Sequence, residues 1–148
     1  MGSGRQASLM IRFKKTDGRA KTPTKAYPGD AGFDLYVSET THIQSNSSCD
    51  VPIGIAVELP SKMWGRVCGR SSTFRVRNLL VIEGVIDQGY RGPLFVHVCN
   101  MNSETVVIVQ GERVAQFIPH EVQDSVWKEV DQIAPSHRGG KGFGSSGT

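Results

Sequence analysis

Cysteine is scarce in this sequence, and long apolar runs are absent from it. Each of these features excludes some classes of protein. The 148 residues include three cysteines, Cys49, Cys68 and Cys99, and no CxxC pair. This odd number and spacing argue against a disulfide scaffold and a cysteine zinc site, and they favour a reducing compartment. No apolar run approaches the roughly 20 residues of a membrane span. The N-terminal residues MGSGRQASLM lack the apolar core of a signal peptide. We therefore expect no membrane partner and a cytoplasmic location (host cytoplasm for a viral protein, with the nucleus as an alternative in a eukaryote).

A large charge excess and a helical hydrophobic pattern are also missing. Seventeen basic and fourteen acidic residues leave a net charge of +3, which suits an anionic small molecule better than a nucleic acid. The length fits one folded domain with one core. We expect residues 1–8 to be an N-terminal extension or a cloning remnant that lies outside that domain.

The hydrophobic pattern is that of β-strands. Val51, Ile53, Ile55, Val57 and Leu59 alternate with other residues in period two, which is typical of strands. Leu94, Val96 and Val98 alternate in the same way, and apolar runs, separated by turn residues, lie at 10–13, 33–37, 79–82, 106–109 and 114–118. This spacing predicts an all-β jelly roll or distorted barrel. We expect at most one short helix, from Ser71 to about Arg77, with serine as its N-cap.

Three internal segments carry side chains with a possible chemical role, and each also has a purely structural reading. GVIDQGYRG at 84–92 places Asp87 and Tyr90 in a glycine-hinged turn, which is either a solvated hairpin tip or a site for a small polar ligand. GRSSTF at 69–74 is either a capped surface turn or a phosphate site. Asp34, inside an apolar strand, needs either an arginine partner or a hydrated magnesium ion.

The C-terminal segment and the remaining polar residues indicate a function less specifically. From Ser136 the chain reads SHRGGKGFGSSGT, which is either a disordered tail or a segment that folds over a nucleotide. Gln116 points away from the apolar face of its strand and is commonly a structural amide in such a place. The histidines show no zinc-like spacing, and we expect no Ser/His/Asp catalytic set.

Five segments follow one another in order along the chain: AGFDLYVS at 31, GRSSTF at 69, GVIDQGYRG at 84, GERVAQFI at 111 and RGGKGFGSSG at 138. With these segments the chain resembles the homotrimeric dUTPases (deoxyuridine triphosphate nucleotidohydrolases). The resemblance implies a jelly-roll homotrimer with active sites at subunit interfaces, in which residues 9–135 form the catalytic domain and residues 136–148 a flexible lid. It also implies magnesium-dependent hydrolysis of dUTP to dUMP and pyrophosphate. That reaction keeps uracil out of DNA and supplies dUMP for dTMP synthesis.

The resemblance also assigns roles to residues. Asp87 would activate the water that attacks the α-phosphate, and Asp34 would hold Mg²⁺ through a water molecule. Tyr90 would stack on the deoxyribose and exclude ribose. The residues expected to bind phosphate are Arg70, Ser71, Ser72, Gln116, Arg138 and Ser145. Those expected around uracil are Gly84, Val85, Ile86 and Phe95, which read it through the backbone, with Phe143 and Gly144 in the lid.

Some positions depart from the family pattern, and two alternative functions are also considered. Gly69 replaces a proline, Ser72 and Lys141 replace glycines, and Val81 stands where some members use asparagine. One alternative is a dCTP deaminase, which shares the fold but favours tryptophan at Tyr90 and needs a catalytic glutamate. The other is a non-catalytic β-barrel interaction module. The sequence does not identify a regulatory protein partner.

Overall fold

The computed structural model describes residues 9–142, 144 and 147, and these form ten β-strands and one short helix. The strands are β1 (Arg12–Lys15), β2 (Phe33–Tyr36), β3 (Thr41–Ile43), β4 (Ser48–Glu58), β5 (Met63–Gly69), β6 (Leu79–Ile82), β7 (Gly84–Ile86), β8 (Pro93–Asn100), β9 (Val106–Ile108) and β10 (Arg113–Glu121), and the helix is α1 (Ser71–Arg77). The prediction of an all-β fold with at most one short helix is confirmed. None of the described helices is long and apolar enough to cross a membrane.

The strands form two four-stranded antiparallel sheets and a two-stranded ribbon. One sheet has the order β1-β4-β8-β6, the other has the order β2-β10-β5-β7, and β3 pairs with β9. Apolar side chains from both sheets form one buried cluster, in which Leu35, Ile53, Ile55, Leu79 and Val98 are fully buried. This arrangement is the jelly roll expected from the strand pattern.

Strand β4 shows the predicted alternation up to Gly54, where its pairing changes. The register with β8 shifts between Pro52 and Ala56, and Gly54 has a φ of +74°. A Cβ on Gly54 would lie 2.8 Å from the Ser38 Cβ, so both the conformation and the space require glycine there. Beyond this bulge Ala56 is buried as well, which strict alternation did not predict.

Helix α1 occupies the predicted residues but begins differently. Its N-cap is Arg70, with φ −82° and ψ 155° and no capping side-chain hydrogen bond. The prediction of a serine N-cap is therefore wrong, because Ser71 is already the first helical residue. Asn78 ends the helix in the left-handed conformation, with its N–H bonded to Phe74 O.

A buried hydrogen bond fixes α1 against β10. The Thr73 hydroxyl donates to Val114 O at 2.8 Å, and this carbonyl lies at a register shift of the β10–β2 ladder, between Arg113 and Ala115. A bulge leaves backbone groups outside the ladder, and Thr73 satisfies one of them. The contact holds the residues that precede α1 close to β10.

Replacing Thr73 with valine should lower the free energy of unfolding by about 1–3 kcal/mol, because Val114 O would stay buried without its donor. Thr73→Ser, which keeps the hydroxyl, is the matched control and should lose less. Chemical denaturation of both variants measures the difference. Equal losses would show that the methyl group, and not the hydrogen bond, is what matters.

Candidate active site

Asp34 lies at the centre of a charged cluster between β2, β10 and the turn before α1. Its Oδ1 accepts a hydrogen bond from Arg70 Nε at 2.8 Å, and its Oδ2 accepts one from Arg113 Nη1 at 3.2 Å. The Asp34 side chain is 13% exposed, so this carboxylate depends on the two guanidinium groups for compensation. The cluster as a whole is positive, which suits an anion.

The phosphate turn, residues 70–72, borders a polar cleft. Arg70 and Ser72 line a cavity of about 350 Å³ together with Arg77, Arg113 and Val114. The Arg77 guanidinium is paired with Glu112, and Arg70 Nη1 donates to Arg113 O at 3.3 Å. Ser71 is exposed and Ser72 half-buried, so both residues have some contact with the solvent.

Gln116 joins this cluster from β10. It is opposite Asp34 on one side and Cys68 on the other, and its Nε2 donates to Gly69 O at 3.0 Å. A Cβ on Gly32 would lie 2.3 Å from Gln116 Oε1. The bare glycine therefore leaves the space that the amide occupies.

The turn at 84–92 is ordered by its own residues. Tyr90 N donates to Asp87 O at 3.0 Å, and the Tyr90 hydroxyl donates to Pro93 O at 3.0 Å. Arg91 Nη1 donates to the carbonyls of Gln88 and Tyr90, which is a structural role. Asp87 is exposed, and the structure records no hydrogen bond to its carboxylate among the described residues.

The backbone groups of Phe95 are directed toward the segment that begins at Gly84. Strand β6 pairs with β8 up to Ile82 and His97, and continuing that ladder would place Gly84 opposite Phe95. Instead Gly84 pairs with Val67 of the other sheet. Because Pro52 O, opposite Phe95, accepts bonds from Ser38 N and Oγ, the polar backbone groups of Phe95 point toward the Gly84 side. The two segments expected around uracil are therefore neighbours that separate here, one in each sheet, without pairing to each other.

The two groups of candidate residues lie far apart within one chain. Ile86 pairs with Gly65, so the next residue, Asp87, comes level with Trp64 on β5. Arg70 follows the other end of β5, six residues away. At about 3.3 Å per residue this is about 20 Å along the sheet. Asp34, Arg70, Ser72 and Gln116 are brought together, but Asp87 and Tyr90 lie elsewhere.

The C-terminal segment makes mainly local contacts. Arg138 Nε donates to Lys141 O at 2.7 Å, and Gly139 and Gly144 have positive φ angles of 57° and 95°. Arg138 and Gly144 are exposed. The predictions for Phe143 and Ser145 lie outside the residues that the structure describes.

One hydrogen-bonded set of a serine, a histidine and an aspartate was not visible in the sequence, although nothing in the structure gives it a catalytic role. His97 Nδ1 lies 2.8 Å from Asp50 Oδ1, and its Nε2 lies 3.0 Å from Ser48 Oγ. The three residues are adjacent only because β4 pairs with β8, which spacing in the sequence did not reveal. Their side chains are exposed on the face of the β1-β4-β8-β6 sheet, whereas Arg70 follows a strand of the other sheet.

The described residues offer little for a directly bound metal ion. Among them no three His, Cys, Asp or Glu side chains form a metal-binding group. Burial raises the pKa of the Cys68 thiol and of the Cys49 thiol, which disfavours the thiolate that metals bind. Asp34 keeps a second lone pair on each oxygen, so it fits a water-mediated contact to an ion that a ligand brings with it.

Comparison with known proteins identifies the family. The dUTPase family model matches residues 18–147. The deoxyuridine 5'-triphosphate nucleotidohydrolase of Rhodococcus erythropolis is 35% identical over 142 residues, covering 94% of this chain and 87% of that protein. The vaccinia virus (strain Copenhagen) enzyme is 34% identical over 137 residues, covering 93% and 92%. The chain belongs to the dUTPase family.

Solved dUTPase structures share the fold. The dUTPase of Staphylococcus bacteriophage 80alpha with dUPNHPP has a TM-score of 0.89 at 25% identity and covers 95% of this chain and 100% of that one. An aspartate-to-asparagine mutant of the phage phi11 dUTPase, described with a structural Mg(II) ion, has a TM-score of 0.79 at 21% identity, covering 84% and 98%. Both solved structures share the jelly-roll fold described above.

Arg113 and Gly32 are the residues around this site that the sequence reasoning missed. Arg113 lies in the quoted segment GERVAQFI, but period-two alternation places it on the face opposite Gln116. The signal was the adjacent apolar pair Val114 and Ala115, both of which are buried. Two consecutive buried residues in a strand indicate a bulge.

Replacing Gly32 with alanine should reduce the rate of dUTP hydrolysis by about tenfold, because the new methyl group would displace the Gln116 amide. Gly29→Ala is the control, since a Cβ there meets nothing within 4 Å. Steady-state kinetics and thermal melting of both variants would separate displacement of the amide from loss of stability. An unchanged rate in Gly32→Ala would mean that the position of Gln116 is unimportant.

Proposed function

We infer that this protein hydrolyses dUTP to dUMP and pyrophosphate with Mg²⁺ as cofactor. The observation that carries this inference is the family match over residues 18–147, together with the positive cluster around Asp34 that three of the matched segments form. The co-structure of the phage 80alpha dUTPase with dUPNHPP, a dUTP analogue, supports the same substrate. The cellular role is the removal of dUTP and the supply of dUMP, in the cytoplasm of a cell or of an infected host.

Asp87 is the proposed base. Its carboxylate is exposed and accessible to water, and the turn that carries it is held by the bonds of Tyr90 and Arg91. The carboxylate takes a proton from a water molecule, whose oxygen attacks the α-phosphorus. The bond from this phosphorus to the bridging oxygen of the β-phosphate then breaks, and pyrophosphate leaves.

The phosphate turn binds the substrate's charge. Arg70, Ser71, Ser72 and Gln116 would donate hydrogen bonds to phosphate oxygens, and Arg138 and Ser145 of the proposed lid would reach the terminal phosphate. Bound Mg²⁺ would neutralise part of the triphosphate charge. Asp34 is the residue of this chain that would accept a hydrogen bond from one of the water molecules on that ion.

Base and sugar would bind where the segments at Gly84 and Phe95 separate. Backbone groups at Gly84, Val85, Ile86 and Phe95 would read the uracil edge, with Phe143 and Gly144 covering it. Tyr90, whose hydroxyl is fixed on Pro93 O, would present its ring to the deoxyribose. A Cβ on Gly92 would lie 2.4 Å from the Tyr90 hydroxyl, so Gly92 supports this ring position.

The distance between Asp87 and Arg70 supports active sites at subunit interfaces, as in the homotrimer that we propose. A base and a cation that act on one triphosphate must both lie within about 3 Å of it. About 20 Å separates them along β5, so a second copy must supply one of them. The segment after β10 also carries exposed apolar side chains, Val126, Trp127 and Ile133, which an assembly would cover.

Ion pairs at two glutamates, the candidates for a deaminase's catalytic acid, argue against a dCTP deaminase. Glu83 is paired with the Arg66 guanidinium and Glu112 with that of Arg77. A general acid–base carboxylate must be able to reach the substrate, and both of these groups are occupied. Tyr90 also stands where deaminases favour tryptophan.

Asp87→Asn should lower kcat for dUTP by at least about 10²-fold while leaving dUPNHPP binding nearly unchanged, since the amide cannot take the proton. Asp131→Asn removes the same charge from an exposed position and serves as the control. Pyrophosphate release and calorimetry measure the two effects. Full activity in Asp87→Asn would exclude this residue as the base.

Two inactive variants should complement each other when they assemble together. If Asp87 and Arg70 of one site come from different subunits, refolding equal amounts of Asp87→Asn and Arg70→Gln restores both residues in about a quarter of the sites. Turnover by the refolded mixture, compared with each variant refolded alone, measures this. Activity no higher than that of the separate variants would contradict a shared site.

A further inference from the structure

Arg113 reaches the phosphate turn because β10 contains an extra residue. Side chains alternate between the two faces of a regular strand, so residues three apart, such as Arg113 and Gln116, would point in opposite directions. The β10–β2 register shifts by one residue between Arg113 and Ala115. That shift reverses the alternation and allows Arg113 to contact Asp34 on the same face as Gln116. Bulges that redirect a side chain are frequent beside active sites.

Arg113 holds Arg70 in two ways. Its carbonyl accepts a hydrogen bond from Arg70 Nη1 at 3.3 Å. Its guanidinium binds Oδ2 of the Asp34 carboxylate, whose Oδ1 binds Arg70 Nε at 2.8 Å. Nε and Nη1 of Arg70 are therefore used within the protein, while its Nη2 has no recorded bond among the described residues and can donate to a ligand.

The positive charge at the phosphate turn also depends on Arg113. Asp34 alone would neutralise Arg70, and with one guanidinium the carboxylate would be free to rotate and bind Arg70 through both oxygens. With Arg113 present, two guanidinium groups share one carboxylate, which leaves an excess positive charge at the turn. The neighbouring Arg77 is neutralised by Glu112, so it does not replace that charge.

We propose that Arg113 is a positioning residue of the phosphate site. By sharing the Asp34 carboxylate it fixes the direction of Arg70 and keeps the cluster positive enough to bind a polyphosphate. This proposal rests on the proposed function for its substrate, dUTP, but the predicted binding of a polyphosphate does not depend on the nucleotide.

The test compares the full-length protein with Arg113→Gln, Arg113→Lys, Asp34→Asn and the double variant Arg113→Gln/Asp34→Asn. Arg75→Gln is the matched control, since Arg75 is exposed on α1 and has no recorded hydrogen bond or ion pair within the described part of the chain. Calorimetry measures the affinity for inorganic tripolyphosphate, and kinetics give kcat and KM for dUTP. Thermal melting checks that each variant is folded.

Arg113→Gln should weaken tripolyphosphate binding and raise KM by about tenfold or more, as expected for a lost charge-assisted contact, with a smaller change in kcat. Arg113→Lys should recover most of the affinity, and Arg75→Gln should change little. Because Arg113 acts through Asp34, the two substitutions should not add. The double variant should bind tripolyphosphate at least as tightly as the single variant with the lower affinity.

Several results would overturn the proposal. One is an equal loss of tripolyphosphate affinity in Arg113→Gln and Arg75→Gln. Another is a loss of affinity in the double variant that equals the sum of the two single losses. A third is a loss of activity that a lower melting temperature of the variant fully explains. A parent protein that binds tripolyphosphate but does not hydrolyse dUTP would refute the proposed function alone. A parent protein that binds neither ligand would refute both.

Discussion

The candidate site depends on one shared carboxylate. Asp34 binds Arg70 from the turn before α1 and Arg113 from β10, so a single, largely buried acid connects three segments that are distant in the sequence. An acid with this little exposure is tolerated only when it is paired. The pairing in turn holds Arg70 with one nitrogen available for a ligand. The bulge in β10, the Thr73 hydroxyl and the bare backbone at Gly32 all serve to keep this arrangement in place.

The second constraint is the length of β5. This strand separates the phosphate turn from the Asp87 turn by about 20 Å, and a strand cannot shorten without losing its ladder. Assembly is therefore part of the proposed chemistry: a copy of the chain has to bring Asp87 and Tyr90 to the phosphate cluster of its neighbour. The same strand pairs with both β7 and β10, which makes each half of the site rigid on its own.

Much of the fold could be predicted because local patterns determine it. The alternation of Val51, Ile53 and Ile55 follows from the pleat of a strand, and the bounds of α1 follow from the run between Ser71 and Arg77. Where the sequence did not reveal an arrangement, a long-range contact was involved. The Ser48–His97–Asp50 contacts exist because β4 pairs with β8, and the N-cap residue Arg70 pairs with Asp34 instead of capping the helix with its side chain.

By itself, the sequence determined the all-β class, the family, and the residue types available for binding phosphate, sugar and base, since these depend on composition, periodicity and ordered motifs. Tertiary structure alone decided that Asp34 is shared by two arginines, that the bulge turns Arg113 toward them, and that Asp87 lies far from the phosphate turn of its own chain. The physical reason is that side-chain direction depends on strand register, and only the pairing of β10 with β2 decides whether the adjacent apolar residues Val114 and Ala115 form a bulge.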